Sequence, residues 1–133
     1  MDDNLFYDFD VKKKNAYHRS ILHKAAYYSG SVCVIQDLLS RGADVNARDK
    51  GSWTPLHLAS KNGHIDAIQC LLANGADLNI KDFKHGWTPL HVAIVSKQYK
   101  AASILIASGS CLDENDLRGY SAGRLFELAS QEN

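Results

Sequence analysis

The sequence predicts an all-α solenoid of helix–turn–helix units, stacked side by side and joined by β-hairpin fingers. Two markers that recur in phase carry this prediction, together with a paired-helix pattern inside each copy. Thr54-Pro55-Leu56-His57 returns 34 residues later as Thr88-Pro89-Leu90-His91, and the same offset run backwards falls on Ser20-Ile21-Leu22-His23. Gly42-Ala43-Asp44-Val45-Asn46 returns as Gly75-Ala76-Asp77-Leu78-Asn79, and with less fidelity as Gly109-Ser110-Cys111-Leu112-Asp113, at spacings of 33 and 34. A fixed period of this length marks a stack of supersecondary units, none of which can bury its apolar face alone.

The second unit, residues 49–81, shows how each copy is built. Thr54 is a good N-cap, and Pro55 at the first helical position gives up no hydrogen bond. The short helix Pro55 to Lys61 closes at Asn62-Gly63-His64, a C-terminal glycine signal. A second helix, Ile65 to Ala73, aligns Ile65, Ile68, Leu71 and Leu72 as one apolar stripe. It stops at Asn74-Gly75, and Ala76-Asp77-Leu78-Asn79 leads by an extended turn to the next Thr-Pro. The third unit, residues 82–115, has one extra residue in its finger (Lys84-His85-Gly86) and places Lys97 where a helix-separating glycine is expected. The first unit, residues 15–48, lacks the leading Asp-Gly and the Thr-Pro but keeps Leu22-His23, Ala25-Ala26 and the Leu38-Leu39 half. Residues 116–133 begin a fourth unit and supply one helix of it. Gly123 falls there where a buried leucine would sit, so Leu125, Phe126 and Leu128 are expected to close the open end, and this unit is expected to fray first.

Composition narrows the function. The chain has 133 residues, 45% hydrophobic and 23% charged, which is ordinary for one globular domain. Fifteen Lys+Arg balance fifteen Asp+Glu for a net charge of +0, so the whole-molecule field of a nucleic-acid binder is missing. No apolar run is long enough for a membrane span, and the acidic start Met1-Asp2-Asp3-Asn4-Leu5 is no secretory signal. Cys33, Cys70 and Cys111 are widely spaced with no CxxC, which fits reduced thiols and an intracellular setting, cytoplasmic or nuclear.

With these residues in place, the stretch Asp49 to Lys81, DKGSWTPLHLASKNGHIDAIQCLLANGADLNIK, resembles an ankyrin repeat at nearly every signature position. The resemblance covers about residues 15 to 133 and leaves only the tail 1–14 outside. It implies that His23, His57 and His91 are hydrogen-bonding struts between units, that His64 belongs to a Gly-His turn, and that Asn46 and Asn79 cap hairpins. Asparagines at this position are also hydroxylation targets in the family. The resemblance implies a protein-binding role without catalysis, and the bare start and end of the chain favour a small stand-alone protein.

The sequence carries no catalytic constellation. No two histidines stand at i, i+4 on one helix, and no GxxxxGK[ST], GxGxxG or GxSxG is present. No catalytic, cofactor or metal residue is therefore assigned. Binding is expected where the copies differ. The finger residue before Thr-Pro reads Arg19, Trp53, Trp87 and Tyr120 in successive units. Lys50, Phe83 and Lys84 stand beside it, and Tyr27 and Tyr28 end the first helix of unit one. These nine form the expected partner-binding band, because Trp, Tyr and Arg dominate interface hot spots. The tryptophans have a second reading as packing between fingers. Cations on the middle fingers (Arg48, Lys50, Lys61, Lys81, Lys84) favour a partner with an acidic or mixed apolar patch. A regulatory or inhibitory subunit of a kinase or transcription factor is the alternative role; nucleic acid, suggested only by Lys12-Lys13-Lys14 and the basic fingers, is not expected. In the tail, Leu5, Phe6 and Phe9 are expected to fold over the first unit, with a linear motif that docks on a partner as the alternative.

Overall fold

The computed structural model describes residues 11–131. The expected cover by Leu5, Phe6 and Phe9 lies outside the described residues. From Val11 onward the lead-in joins the scaffold: Val11 is buried in the core and Lys14 pairs with Ser20 in an isolated bridge.

Helices alternate as the repeat demands. Unit one holds α1 (Ile21–Lys24), a π turn (Ala25–Ser29) and α2 (Val32–Ser40); unit two holds α3 (Pro55–Asn62) and α4 (Ile65–Ala73). Unit three holds α5 (Pro89–Val95) and α6 (Tyr99–Ala107), and α7 (Ala122–Gln131) closes the stack. First helices pack on first helices and second helices on second helices, which gives two layers with the core between them. The core repeats in register: Leu22, Leu56 and Leu90 from the first layer meet Leu38, Leu71 and Leu105 from the second, all essentially inaccessible. Of the predicted stripe on α4, Ile68 and Leu71 are fully buried, and Ile65 and Leu72 are partly buried against the core.

The first helices of units one to three start with the same capping box. Ser20, Thr54 and Thr88 accept from the backbone N–H of His23, His57 and His91, and those rings accept in return from the cap's own N–H. Each second helix closes with a paired turn: Gly42 N–H on Leu39 O with Ala43 N–H on Leu38 O, repeated at Gly75/Ala76 and Gly109/Ser110. Lys97, in the place of Gly63, keeps that glycine's left-handed backbone at φ 60° against 68°.

The fingers are tight turns, and no strand forms among the described residues, only the bridges Lys14–Ser20 and Asn115–Ser121. Each finger pairs one residue at its base with one at its end, Asp49 N–H on Trp53 O and Asp82 N–H on Trp87 O, which is too short for a ladder. At the far end Leu125 and Ala122 are buried, whereas Phe126 is half exposed and packs edge-on against Tyr99 with centroids 5.8 Å apart. The cap therefore rests on Leu125 and Ala122, with Phe126 at its rim.

Candidate functional site: the finger face

The row of fingers is built from one polar device used four times. The base residue's Oδ1 accepts two backbone N–H groups across its own turn: Asn15 from Tyr17 and Arg19, Asp49 from Gly51 and Trp53, Asp116 from Arg118 and Tyr120. Asp82, in the lengthened finger, takes His85 and Trp87. Each aspartate's other oxygen accepts from the preceding unit. Arg19 Nε donates to Asp49 at 3.0 Å, Trp53 Nε1 to Asp82 at 3.0 Å and Trp87 Nε1 to Asp116 at 3.0 Å. Burial alone would raise the carboxyls of Asp82 and Asp116, but the convergent donors outweigh it; Asp82 lies below the usual carboxylate range and Asp116 is held at about 2.

A second set of struts runs beneath. His23, His57 and His91 are inaccessible, and their Nε2 atoms meet the carbonyls of Trp53, Trp87 and Tyr120 at 2.8, 2.9 and 3.3 Å. A carbonyl only accepts, so Nε2 carries the proton, while Nδ1 accepts from the capping residue; the rings are neutral struts. Burial lowers all three pKa values, His57 to about 4. A third link joins the tips: Lys50 N–H to Tyr17 O, Phe83 N–H to Gly51 O and Leu117 N–H to His85 O, at 2.7–2.9 Å. Asn46 bridges hairpins as the family resemblance implies, donating to Gly75 O and accepting from Asp77 N–H.

Of the nine predicted contacts, five sit at open positions. Tyr28 and Phe83 are 75% and 69% exposed, and Lys50, Lys84 and Tyr120 also face solvent. Tyr27, Arg19, Trp53 and Trp87 are half-buried, and the last three carry the inter-unit links just described. The tryptophans thus pack between fingers, in keeping with their second reading, and stay half open to solvent. His85 stacks flat on Trp87 at 3.7 Å, and Lys61 Nζ lies 5.8 Å from the Trp53 ring. Two open clefts meet around Arg19 and Trp53. One, about 260 Å³, is walled by Tyr17, Asp49, Lys50 and Lys84; the other, about 200 Å³, by Tyr27, Tyr28, Leu58 and Lys61. Tyr17 and Leu58 stand outside the nine expected contacts, and Lys61 was named only among the cations of the middle fingers.

Among the described residues no His, Cys, Asp and Glu group is arranged to hold a metal, and no helix is long and apolar enough to cross a membrane. Cys70 is buried, which pushes its thiol pKa up, whereas Cys33 and Cys111 are exposed.

A sequence model for ankyrin repeats in three copies matches residues 22–116, and the chain belongs to the ankyrin-repeat family. Ankyrin repeats are protein-interaction modules and are generally without catalysis. Relatives share only stretches of it. A potassium channel AKT1 of Oryza sativa subsp. indica is 35% identical over 66 residues, 50% of this chain and 7% of the channel. The Arabidopsis thaliana AKT1 channel is 40% identical over 57 residues, 43% of this chain and 6% of that protein. Human protein phosphatase 1 regulatory subunit 27 is 42% identical over 45 residues, 34% of this chain and 29% of the subunit. The chain thus spans less than a third of each relative's length.

Proposed function

We propose that the chain binds a partner protein through its finger tips and the adjoining face of its first helices. The observation that carries this reading is the open row Tyr17, Tyr28, Phe83 and Leu117, each 67–75% exposed, on a framework that fixes its spacing by side-chain and backbone links. Large apolar side chains held rigidly in water lose little entropy on docking, and such exposed sets mark interaction surfaces. Arg19, Tyr27, Lys50, Trp53, Lys84, Trp87 and Tyr120 complete the proposed contact set. A second reading, a regulatory subunit that alters its partner's activity, is favoured by the similarity to the phosphatase regulatory subunit.

The test immobilises the chain, captures proteins from cell extract and identifies them by mass spectrometry. It compares a face variant (Tyr28→Ser, Lys50→Glu, Phe83→Ser) with an outer-helix variant (Gln69→Arg on α4, Ser103→Arg on α6). Both variants should melt like the wild type, and only the face variant should lose the captured set. Loss through the outer-helix variant, or through neither, contradicts the reading. Assaying the captured partner with and without the chain then separates regulation from passive attachment.

A further inference from the structure

We infer that two one-residue insertions build a single binding cleft around Arg19 and Trp53, and that its occupant is an extended acidic peptide segment with an aromatic or large aliphatic residue. This deepens the finger-face reading and rests on it.

The first insertion lies in unit one. Ser20 to Gly30 is one residue longer than Thr54 to Gly63 or Thr88 to Lys97. The helix absorbs the extra residue as the π turn Ala25–Ser29, closed by Gly30 N–H on Ala25 O. Single π turns of this kind concentrate at functional sites because they re-aim side chains without breaking the helix. Here the bulge is anchored from unit two, where Asn62 Nδ2 and His64 Nε2 both meet Tyr27 O, at 2.7 and 3.1 Å. Tyr27 and Tyr28 meet edge to face at 4.8 Å, and both wall the smaller cleft.

The second insertion lies in the third finger, where Asp82 to Trp87 is one residue longer than Asp49 to Trp53. The lengthened finger carries Lys84 across the second, to line the larger cleft opposite Tyr17 of the first. The chain's two departures from its own repeat length therefore converge on one place, from opposite sides. Regular units stack without either, so the scaffold alone gives no reason for both to face the same groove.

Charge decides the occupant. The residues lining the two clefts include four cations, Arg19, Lys50, Lys61 and Lys84, and one acid, Asp49. Asp49 is already engaged by Gly51 N–H, Trp53 N–H and Arg19 Nε, with a side chain only 6% exposed. On a chain of zero net charge this is a local cationic trough with aromatic walls. Carboxylates match the cations, and the ring-lined space beside Trp53 matches one apolar side chain. The joined clefts run from finger tips to first helix, which suits an extended segment.

The test selects a random peptide library displayed on phage against the full chain, then measures selected peptides by fluorescence polarisation. Enrichment of Asp and Glu around an aromatic or large aliphatic residue is expected. Lys61→Glu and Lys84→Glu should each weaken binding about tenfold, and binding should weaken with salt. Deleting Tyr28, which returns unit one to the length of unit two, should also weaken it about tenfold; Tyr28→Ser serves if the deletion does not fold. Basic or uncharged consensus peptides, no enrichment, insensitivity to the two charge reversals, or tighter binding of single-stranded DNA would each overturn the inference. If extract capture still depends on Tyr28, Lys50 and Phe83 in that event, the finger-face reading stands and only the cleft's occupant is wrong.

Discussion

Ser52 carries two local costs at once. Its backbone is left-handed at φ 65°, in the row where unit three has Gly86 and unit four has Gly119, and its buried hydroxyl is without a hydrogen-bond partner. Ser52→Gly should raise stability by about 1 kcal/mol, because it removes the steric cost of a left-handed side chain and an unpaired buried group. Chemical denaturation measures this; a destabilised variant would show that the hydroxyl is bonded after all. The alignment of Ser52 with two glycines was legible in the sequence, but the burial that makes the hydroxyl costly was not. The histidine struts give a pH dependence. Unfolded histidine titrates near 6.5 and the folded values are lowered, so protons bind the unfolded chain first. Their stabilisation is complete above 6.5 and falls as pH drops toward His57's value of about 4, which for that residue amounts to roughly 3 kcal/mol. Melting temperature should therefore decline steeply between pH 6.5 and 4. A flat profile in that window contradicts neutral buried struts. Asp82 and Asp116 act lower, losing their contribution as pH falls below 3.8, and for Asp116 the loss runs down toward about 2.

Helices and turns followed their sequence signals closely where those signals are local. The Thr-Pro caps, the Asn-Gly stops and the stripe on α4 all lie where periodicity sets them, because each depends on neighbours within one turn. The π turn was missed although its trace is present. The first marker recurs at 34 between units one and two while the hairpin marker recurs at 33, so one residue is surplus between them. That difference passes for ordinary variation until the coordinates show it concentrated in Ala25–Ser29. Gly123 of α7 was read as a missing leucine. A Cβ built there meets only Leu112 O at 3.7 Å and Ser121 Oγ at 3.9 Å, which is ordinary contact. Gly123→Ala should stabilise the cap by about 0.5 kcal/mol through helix propensity. Hydrogen exchange on α7 measures it, and faster exchange in the variant would mean that the glycine admits a closer approach of the third hairpin.

The stack as a whole is held laterally by links that recur once per unit: an indole or guanidinium on the next aspartate, an imidazole on the next finger carbonyl, and one backbone bond between tips. This explains why Trp53 and Trp87 could not be assigned from sequence to packing or to binding. The residue that precedes Thr-Pro must reach the following unit, and sequence offers no distance between units. Trp87→Phe keeps an aromatic side chain but removes the donor to a carboxylate with no exposed surface, so it should cost about 1.5–3 kcal/mol. Thermal denaturation checks this, and an unchanged midpoint would show the bond to be dispensable. Leu71→Ala, at the centre of the core, should cost about 2–5 kcal/mol. The proposed binding surface uses the opposite set, the side chains that differ between copies and stay open. Amide and indole chemical-shift mapping of the labelled chain with a selected peptide separates the two sets most directly. Shifts should concentrate at Tyr17, Arg19, Tyr28, Lys61, Lys84 and the Trp53 indole. Shifts confined to α4 and α6, with those groups silent, would contradict the account.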